Sequence, residues 1–169
     1  MQVNVVAATA NQQSVLANLL ELYAHDFSEI SELQLNPDGR FGYEPLPLYW
    51  QEPQRHPLLV WVDGYLSGFV LVKQGSELSG DAKVWDMAEF FIVRGYRRHG
   101  VGLQVAHAVW RKFPGRWEVR VTEKNRAGQA FWRRAVAAFM GEPVEAVVSE
   151  IKQKLWHVFS FDTAGAKAN

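Results

Sequence analysis

The sequence contains no cysteine. That absence excludes a disulfide scaffold, a zinc–thiolate centre and a cysteine nucleophile together, and it is compatible with a reducing compartment. Net charge is missing too: 18 Lys+Arg balance 18 Asp+Glu. No overall basic field marks a nucleic-acid coat or a binder of anionic membranes, so electrostatic function must come from local asymmetry. No stretch approaches the ~18 apolar residues of a membrane span, and the opening MQVNVVAATANQQ has neither the positive nor the apolar region of a secretion signal. A soluble, cytoplasmic protein is expected. The histidines His25, His56, His99, His107 and His157 show no metal-ligand spacing and no H-E-x-x-H pattern, so no metal site is expected, and His107 reads as packing. Ser28, Ser31 and Ser149 sit in no G-x-S-x-G elbow, which leaves a serine hydrolase unsupported.

What is present is apolar and aromatic: 48% of the 169 residues are hydrophobic and 13% aromatic, enough for one domain with a sizeable core. Residues 1 to 163 read as a single unit and 164 to 169 as a loose tail. Gln2 to Ala7 reads as a strand. An amphipathic helix follows from about Asn11, a candidate N-cap, to Tyr23, with Val15, Leu16, Leu19, Leu20 and Tyr23 on one face. The stretch Phe27 to Arg55 is irregular and lid-like, with turn chemistry at Asn36-Pro37-Asp38-Gly39 and a short helix over Leu46 to Gln51.

Leu58 to Val62 and Leu66 to Lys73 are two β-rich runs around Asp63-Gly64, a pair suited to a type I′ hairpin turn. Val84 to Val93 is a further strand, rich enough in aromatics to lie centrally in a sheet. A helix over Val101 to Phe113, a strand over Trp117 to Val121 and a helix over Asn125 to Phe139 form a crossover unit. Val144 to Ile151 and Leu155 to Phe161 close the chain as antiparallel strands. The expected fold is a mixed α/β sandwich.

The segment Arg97-Arg98-His99-Gly100-Val101-Gly102 lies between the aromatic strand and the following helix. Its glycines permit positive φ and close backbone approach, so consecutive N–H groups can point at an anion where the helix dipole favours negative charge. A tight strand-to-helix turn flanked by solvated arginines is the plain alternative. The pattern resembles the acetyl-CoA-binding motif of the GNAT superfamily of N-acetyltransferases, [RQ]-x-x-G-x-[GA]. The hairpin LLVWVDGYLSGFVLVK resembles that family's second and third strands, Phe90-Phe91-Ile92 its fourth, Val119 to Val121 its fifth, and NRAGQAFW its asparagine-plus-aromatic helix.

The resemblance implies an α/β (α+β) fold with a mixed, mostly antiparallel central sheet flanked by helices and with splayed fourth and fifth strands. It also implies acetyl-CoA as co-substrate and transfer of acetyl to a primary amine, with a small-molecule or peptide amine as partner. Arg97, Arg98, His99, Gly100, Val101 and Gly102 would then hold the pyrophosphate. Phe91 and Ile92 would pair through their main chain with the pantetheine arm. Asn125 would contact the pantetheine or simply cap its helix. Trp132 stands where the family often has a tyrosine that protonates the leaving thiolate, a task beyond an indole N–H; it can pack against the co-substrate or serve as a core aromatic.

Charge is segregated in a way that fits such a ligand. Basic residues dominate Arg94 to Arg134 and acidic ones Glu21 to Glu52, which suits an anion on one side and a cationic amine on the other. For the general base, Glu89 and Asp86 are the candidates, Glu89 preferred. Three apart on one strand, they point to opposite faces unless a bulge intervenes. An acyl-CoA-binding regulatory or sensor module is the alternative function. Nucleic acid is not an expected partner, a homodimer stays open, and the amine is not identified.

Overall fold

The computed structural model describes residues 1–165 and builds one seven-stranded sheet in the order β1-β2-β3-β4-β5-β7-β6. Its strands are β1 (Val3–Ala7), β2 (Arg55–Val62), β3 (Tyr65–Gln74), β4 (Trp85–Ile92), β5 (Arg116–Thr122), β6 (Val147–Ile151) and β7 (Lys154–Asp162). All neighbours are antiparallel except β4 and β5, which the helix α3 (Val101–Lys112) joins in parallel. Helices α1 (Gln13–Phe27), α2 (Leu48–Gln51) and α4 (Arg126–Met140) complete the order. The expected mixed, mostly antiparallel α/β fold is the observed one.

The hairpin turn forms because Asp63 (φ 50°) and Gly64 (φ 83°) both take left-handed conformations, as a type I′ turn requires. The β6–β7 turn repeats this with Lys152 and Gln153 at φ 51° and 62°. The sheet separates two cores. On one face α3 and α4 bury Val105, Val109, Trp110, Trp132 and Val136 against Val60, Val70, Val119 and Phe159. On the other, α1 and α2 bury Leu16, Leu20 and Tyr49 against Leu59, Phe69, Leu71 and Phe91. Each such large side chain contributes about 1.5–3 kcal/mol by leaving water.

Several boundaries differ from the sequence reading, among them the start of β2, at Arg55 rather than Leu58, and of α2, at Leu48 rather than Leu46. Asn11 is not a cap: it lies inside a 3-10 turn, Ala10–Gln12, whose N-cap is Thr9, and the Gln12 side-chain oxygen accepts the Thr9 N–H at 2.9 Å. Helix α1 runs a full turn beyond Tyr23, to Phe27. Strand β6 starts at Val147 rather than Val144. Of the expected tail, Ala164 and Gly165 form a turn and residues 166–169 lie outside the described residues.

The segment between α1 and β2 is irregular apart from α2, as expected, and it is tied down. The Glu21 carboxylate accepts the N–H groups of Phe41 and Gly42 at 2.8 and 2.9 Å. A turn at Asn36–Arg40, closed by the Asn36 N–H on the Arg40 carbonyl at 2.8 Å, precedes that anchor. These contacts deliver Tyr43 and Tyr49 to the sheet.

Candidate active site

Two parallel strands that stay in register would leave no opening between them, but β4 and β5 pair only at Trp85–Trp117 and Asp86–Glu118. Beyond those pairs they part, and the ends of both strands carry main-chain groups without a sheet partner between them. Val93 N–H donates to the Ser67 carbonyl at 2.9 Å, and main-chain groups alternate sides along a strand. Phe91 therefore faces β3, as Val93 does, while Phe90 and Ile92 face the gap. The same orientation follows from Gly68, where an added β-carbon would lie 2.1 Å from the Phe91 carbonyl oxygen.

This corrects one expectation. Phe91 offers no main-chain pairing to the gap, and Phe90, which the sequence reading passed over as a site residue, does. Ile92 keeps its N–H on the gap side, but its carbonyl accepts the Arg97 Nε at 2.6 Å. Only strand parity could have told the two phenylalanines apart, and parity depends on register.

After β4 the chain makes a 3-10 turn, Arg94–Tyr96, and then the glycine segment. Arg98 at φ 66° and Gly100 at φ 79° take left-handed conformations on either side of His99, which does not, a turn backbone of the kind that can present successive N–H groups to an anion. The first hydrogen bond closing α3 runs from Gln104 N–H to the Gly100 carbonyl, 3.1 Å, so the N–H groups of Val101, Gly102 and Leu103 have no partner within the helix. The first turn of α3 carries no acidic side chain. This cradle fits a pyrophosphate. Gly102 touches the two neighbouring elements: a β-carbon there would meet Phe131 at 3.1 Å and Phe90 at 3.8 Å.

Arg97 plays a different part from the one expected. Its own N–H is bonded to the Arg94 carbonyl at 3.1 Å, and its guanidinium, like that of Arg94, is held by Asp26 at the end of α1. The two guanidinium groups hold the Asp26 carboxyl below the usual carboxylate range, against the opposing effect of partial burial. Arg97 is a staple between α1, the end of β4 and the cradle, and the remaining N–H groups, from Arg98 through His99, Gly100, Val101 and Gly102, are those left to meet a ligand.

At the other side of the gap, Asn125 caps α4: its Oδ1 accepts the Gly128 N–H at 2.8 Å. The cap consumes the oxygen and leaves the amide nitrogen for another partner. Gly128 is required here, because a β-carbon would come 2.5 Å from Asn125 Nδ2. Gln129, unremarked in the sequence, donates to the Thr122 and Glu123 carbonyls at 3.0 Å each and fixes the end of β5 on α4. Trp132 is a core aromatic, packed edge-on to Phe90 with ring centroids 4.9 Å apart and beside Trp110 and Phe131. His107 packs as expected, its Nε2 3.0 Å from the Ala135 carbonyl. Among the described residues no group of His, Asp and Glu could hold a metal ion.

The two carboxylates do not part to opposite faces. The β3–β4 register pairs Leu71 with Glu89, Val72 with Met87 and Lys73 with Asp86, so Ala88 is an extra residue in β4. The bulge restores parity and places both acids on the α1 side of the sheet. They differ in what they touch. Asp86, 2% exposed, pairs with Arg120 Nη2 at 2.6 Å and lies 3.6 Å from Lys73 Nζ. It belongs to a network that continues through Glu77 to Lys73, Arg120 and Lys152 at 3.1, 3.5 and 3.0 Å. The Arg120 guanidinium engages both Asp86 oxygens, so the charge of this carboxylate is already balanced by cations.

Glu89 has tyrosines instead of cations. Tyr23 from α1 donates its hydroxyl to Oε2, and Tyr43 donates to Oε1 at 3.0 Å. Burial pushes the Glu89 carboxyl up, more than the two hydroxyl donors bring it down, and the nearby Asp86 charge adds to the rise. A buried carboxyl whose affinity for a proton is raised in this way is suited to accept one. Burial also raises the Tyr23 and Tyr43 hydroxyls well above an ordinary phenol, so both remain donors.

Comparison with known proteins follows the same lines. Residues 16–136 match the model of the acetyltransferase (GNAT) family. No curated protein matches the chain in sequence. Among solved structures, an acetyltransferase from Thermus thermophilus superposes with a TM-score of 0.70 at 14% identity, covering 96% of this chain and 97% of that one. An aminoglycoside acetyltransferase solved with coenzyme A gives 0.71 at 12% identity, covering 95% of each chain. A spermidine N-acetyltransferase from Vibrio cholerae, solved with CoA and spermine, gives 0.66 at 12% identity and 96% of each chain. At such identities the likeness is one of fold.

Proposed function

The chain belongs to the acetyltransferase (GNAT) family, and from that premise we propose that it moves acetyl from acetyl-CoA to a primary amine by direct attack within a ternary complex. The observation that carries the reading is the parting of β4 from β5 beyond Asp86 and Glu118, with the N–H cradle of Arg98 to Leu103 beyond one end and Glu89 on the α1 face beside it. Solved neighbours bound to CoA support acetyl-CoA as the co-substrate.

In this reading the cradle binds the pyrophosphate, and Phe90 and Ile92 present main-chain groups to the pantetheine arm. The amide of Asn125 lies at the opposite edge. The amine arrives protonated from the α1 side, and Glu89 takes its proton. The freed lone pair then attacks the thioester carbonyl, the new C–N bond forms, the C–S bond breaks, and the sulfur departs as thiolate. The second proton shed by the nitrogen passes through solvent to that thiolate, leaving a neutral amide and CoA thiol. General-base help of this kind is worth about 10²–10⁴ in rate, and orientation of amine against thioester can supply about 7 kcal/mol or more. Trp132 supplies no proton at neutral pH.

Calorimetry tests the premise. Acetyl-CoA should bind the natural protein and fail to bind a Gly100→Asp, Gly102→Asp variant that retains its circular dichroism. Release of CoA thiol in the presence of an amine tests transfer. A second reading, an acyl-CoA sensor without transfer, is favoured by Trp132 in the place of a proton donor. Any amine-dependent thiol release disposes of it.

A further inference from the structure

We infer that the acceptor is a polycation, a molecule with at least two amines and no carboxylate close to the reacting one; the inference rests on the reading of this site as an amine acetyltransferase. The structure sorts charge by pairing as well as by position. Of the cations up to the end of β3, Arg40 is paired with Glu21, Arg55 with Glu52 and Lys73 with Glu77 and Asp86. Arg120, whose field reaches Glu89, is held by Asp86 and Glu77 and has its guanidinium 5.5 Å from the Trp156 ring centroid. Arg98, Lys124, Arg126, Arg133 and Arg134, in contrast, have no carboxylate within ion-pair reach among the described residues, and they lie in the cradle or on α4 and the turn before it, on the side proposed for CoA.

The anions are distributed in the opposite way. Glu29, Glu32 and Glu44 are exposed on the segment that carries Tyr43, and none is in an ion pair among the described residues. Glu89 itself meets two tyrosine hydroxyls and no cation in an ion pair among the described residues, so its charge is left for an ammonium to balance. The hydroxyl of Tyr49 gives an independent sign of a ligand. Tyr49 is 3% exposed and its hydroxyl has no hydrogen-bond partner among the described residues; burial first, and then the charge of Glu89, push that hydroxyl up to about 12, against the opposing influence of Tyr43 and Arg55 beside it. A buried hydroxyl left unpaired beside a carboxylate awaits a polar guest.

An acceptor with its own carboxylate near the amine would meet Glu89 as a like charge and find every neighbouring cation taken. At ~6 Å in a partly buried site, that repulsion corresponds to roughly a hundredfold in affinity. A second ammonium gains from Glu44 and its neighbours instead.

Three acceptors of one length separate the possibilities: 1,4-diaminobutane, butylamine and 4-aminobutanoate, each assayed by release of CoA thiol. We expect kcat/KM to fall in that order, with the first and last at least 100-fold apart, the spread shrinking in 0.5 M salt and the diamine-to-butylamine ratio dropping severalfold in Glu44→Gln. Equal use of 4-aminobutanoate and the diamine would overturn the polycation inference while leaving acetyl transfer intact. Acetyl-CoA binding without transfer to these or to a wider amine panel would overturn both.

Discussion

Tyr43, in a segment without regular structure, donates its hydroxyl over 3.0 Å to Glu89, a residue 46 positions later on the central strand β4. That one contact ties the most irregular part of the chain to the proposed base. Removing the donor in Tyr43→Phe takes away one of the two hydrogen bonds that hold the Glu89 carboxyl down. The expected result is a roughly tenfold fall in kcat/KM at neutral pH, with the acid limb of the pH–rate profile moved upward, since a charge-assisted hydrogen bond contributes about 1.5–3 kcal/mol. An unmoved limb would separate Tyr43 from the base.

Glu89→Gln should split activity from stability. The loss of the base lowers kcat/KM by about 10²–10⁴ and removes the acid limb that Glu89 imposes. Stability should move the other way. Because the folded-state pKa of Glu89 is raised, the folded protein holds that proton more tightly than the unfolded chain, and stability falls as pH rises from the ordinary glutamate value through the raised one. Above that window the Gln variant should melt at the same temperature as the natural protein or higher, as thermal denaturation at pH 5 and pH 8 would show.

Asp86→Asn should fail in the opposite manner. Asp86 is 2% exposed and pairs with Arg120 Nη2 at 2.6 Å, so losing its charge leaves Arg120 deprived of its closest partner. Breaking a buried pair by removing one side costs about 3–5 kcal/mol. The midpoint of urea unfolding should fall accordingly, while the pH–rate profile of the folded fraction keeps its shape. A changed profile with unchanged stability would make Asp86 the base.

Gly68 permits the strand pairing on which the gap depends. A β-carbon there would stand 2.1 Å from the Phe91 carbonyl oxygen, and a main-chain atom in a central strand cannot step aside. Gly68→Ala is expected to lose 3 kcal/mol or more, on the order of the largest single-residue effects, and to expose hydrophobic surface to a reporter dye. Gly64→Ala, in open space at φ 83°, should cost only about 1–2 kcal/mol through its backbone conformation.

The parts of the molecule that the sequence by itself determined are those where the deciding forces act within a few residues. Asp63-Gly64 takes its turn from its own φ preferences, and Arg98 to Gly102 makes an N–H cradle because glycine and a helix start lie side by side. Apolar spacing set the helices α3 and α4 to within one residue. Tertiary structure decided the rest. Whether Asp86 and Glu89 share a face depends on the extra residue Ala88, and nothing near Ala88 announces a bulge; the register with β3 creates it. That Phe90 rather than Phe91 opens to the gap follows from the same register. The tyrosines on Glu89 come from 66 and 46 positions away, and Asp26 takes the arginines that local charge had assigned to a ligand. Parity along a strand and the choice of ion-pair partner are set by which surfaces meet when both cores are buried, and that information exists only once the chain has folded.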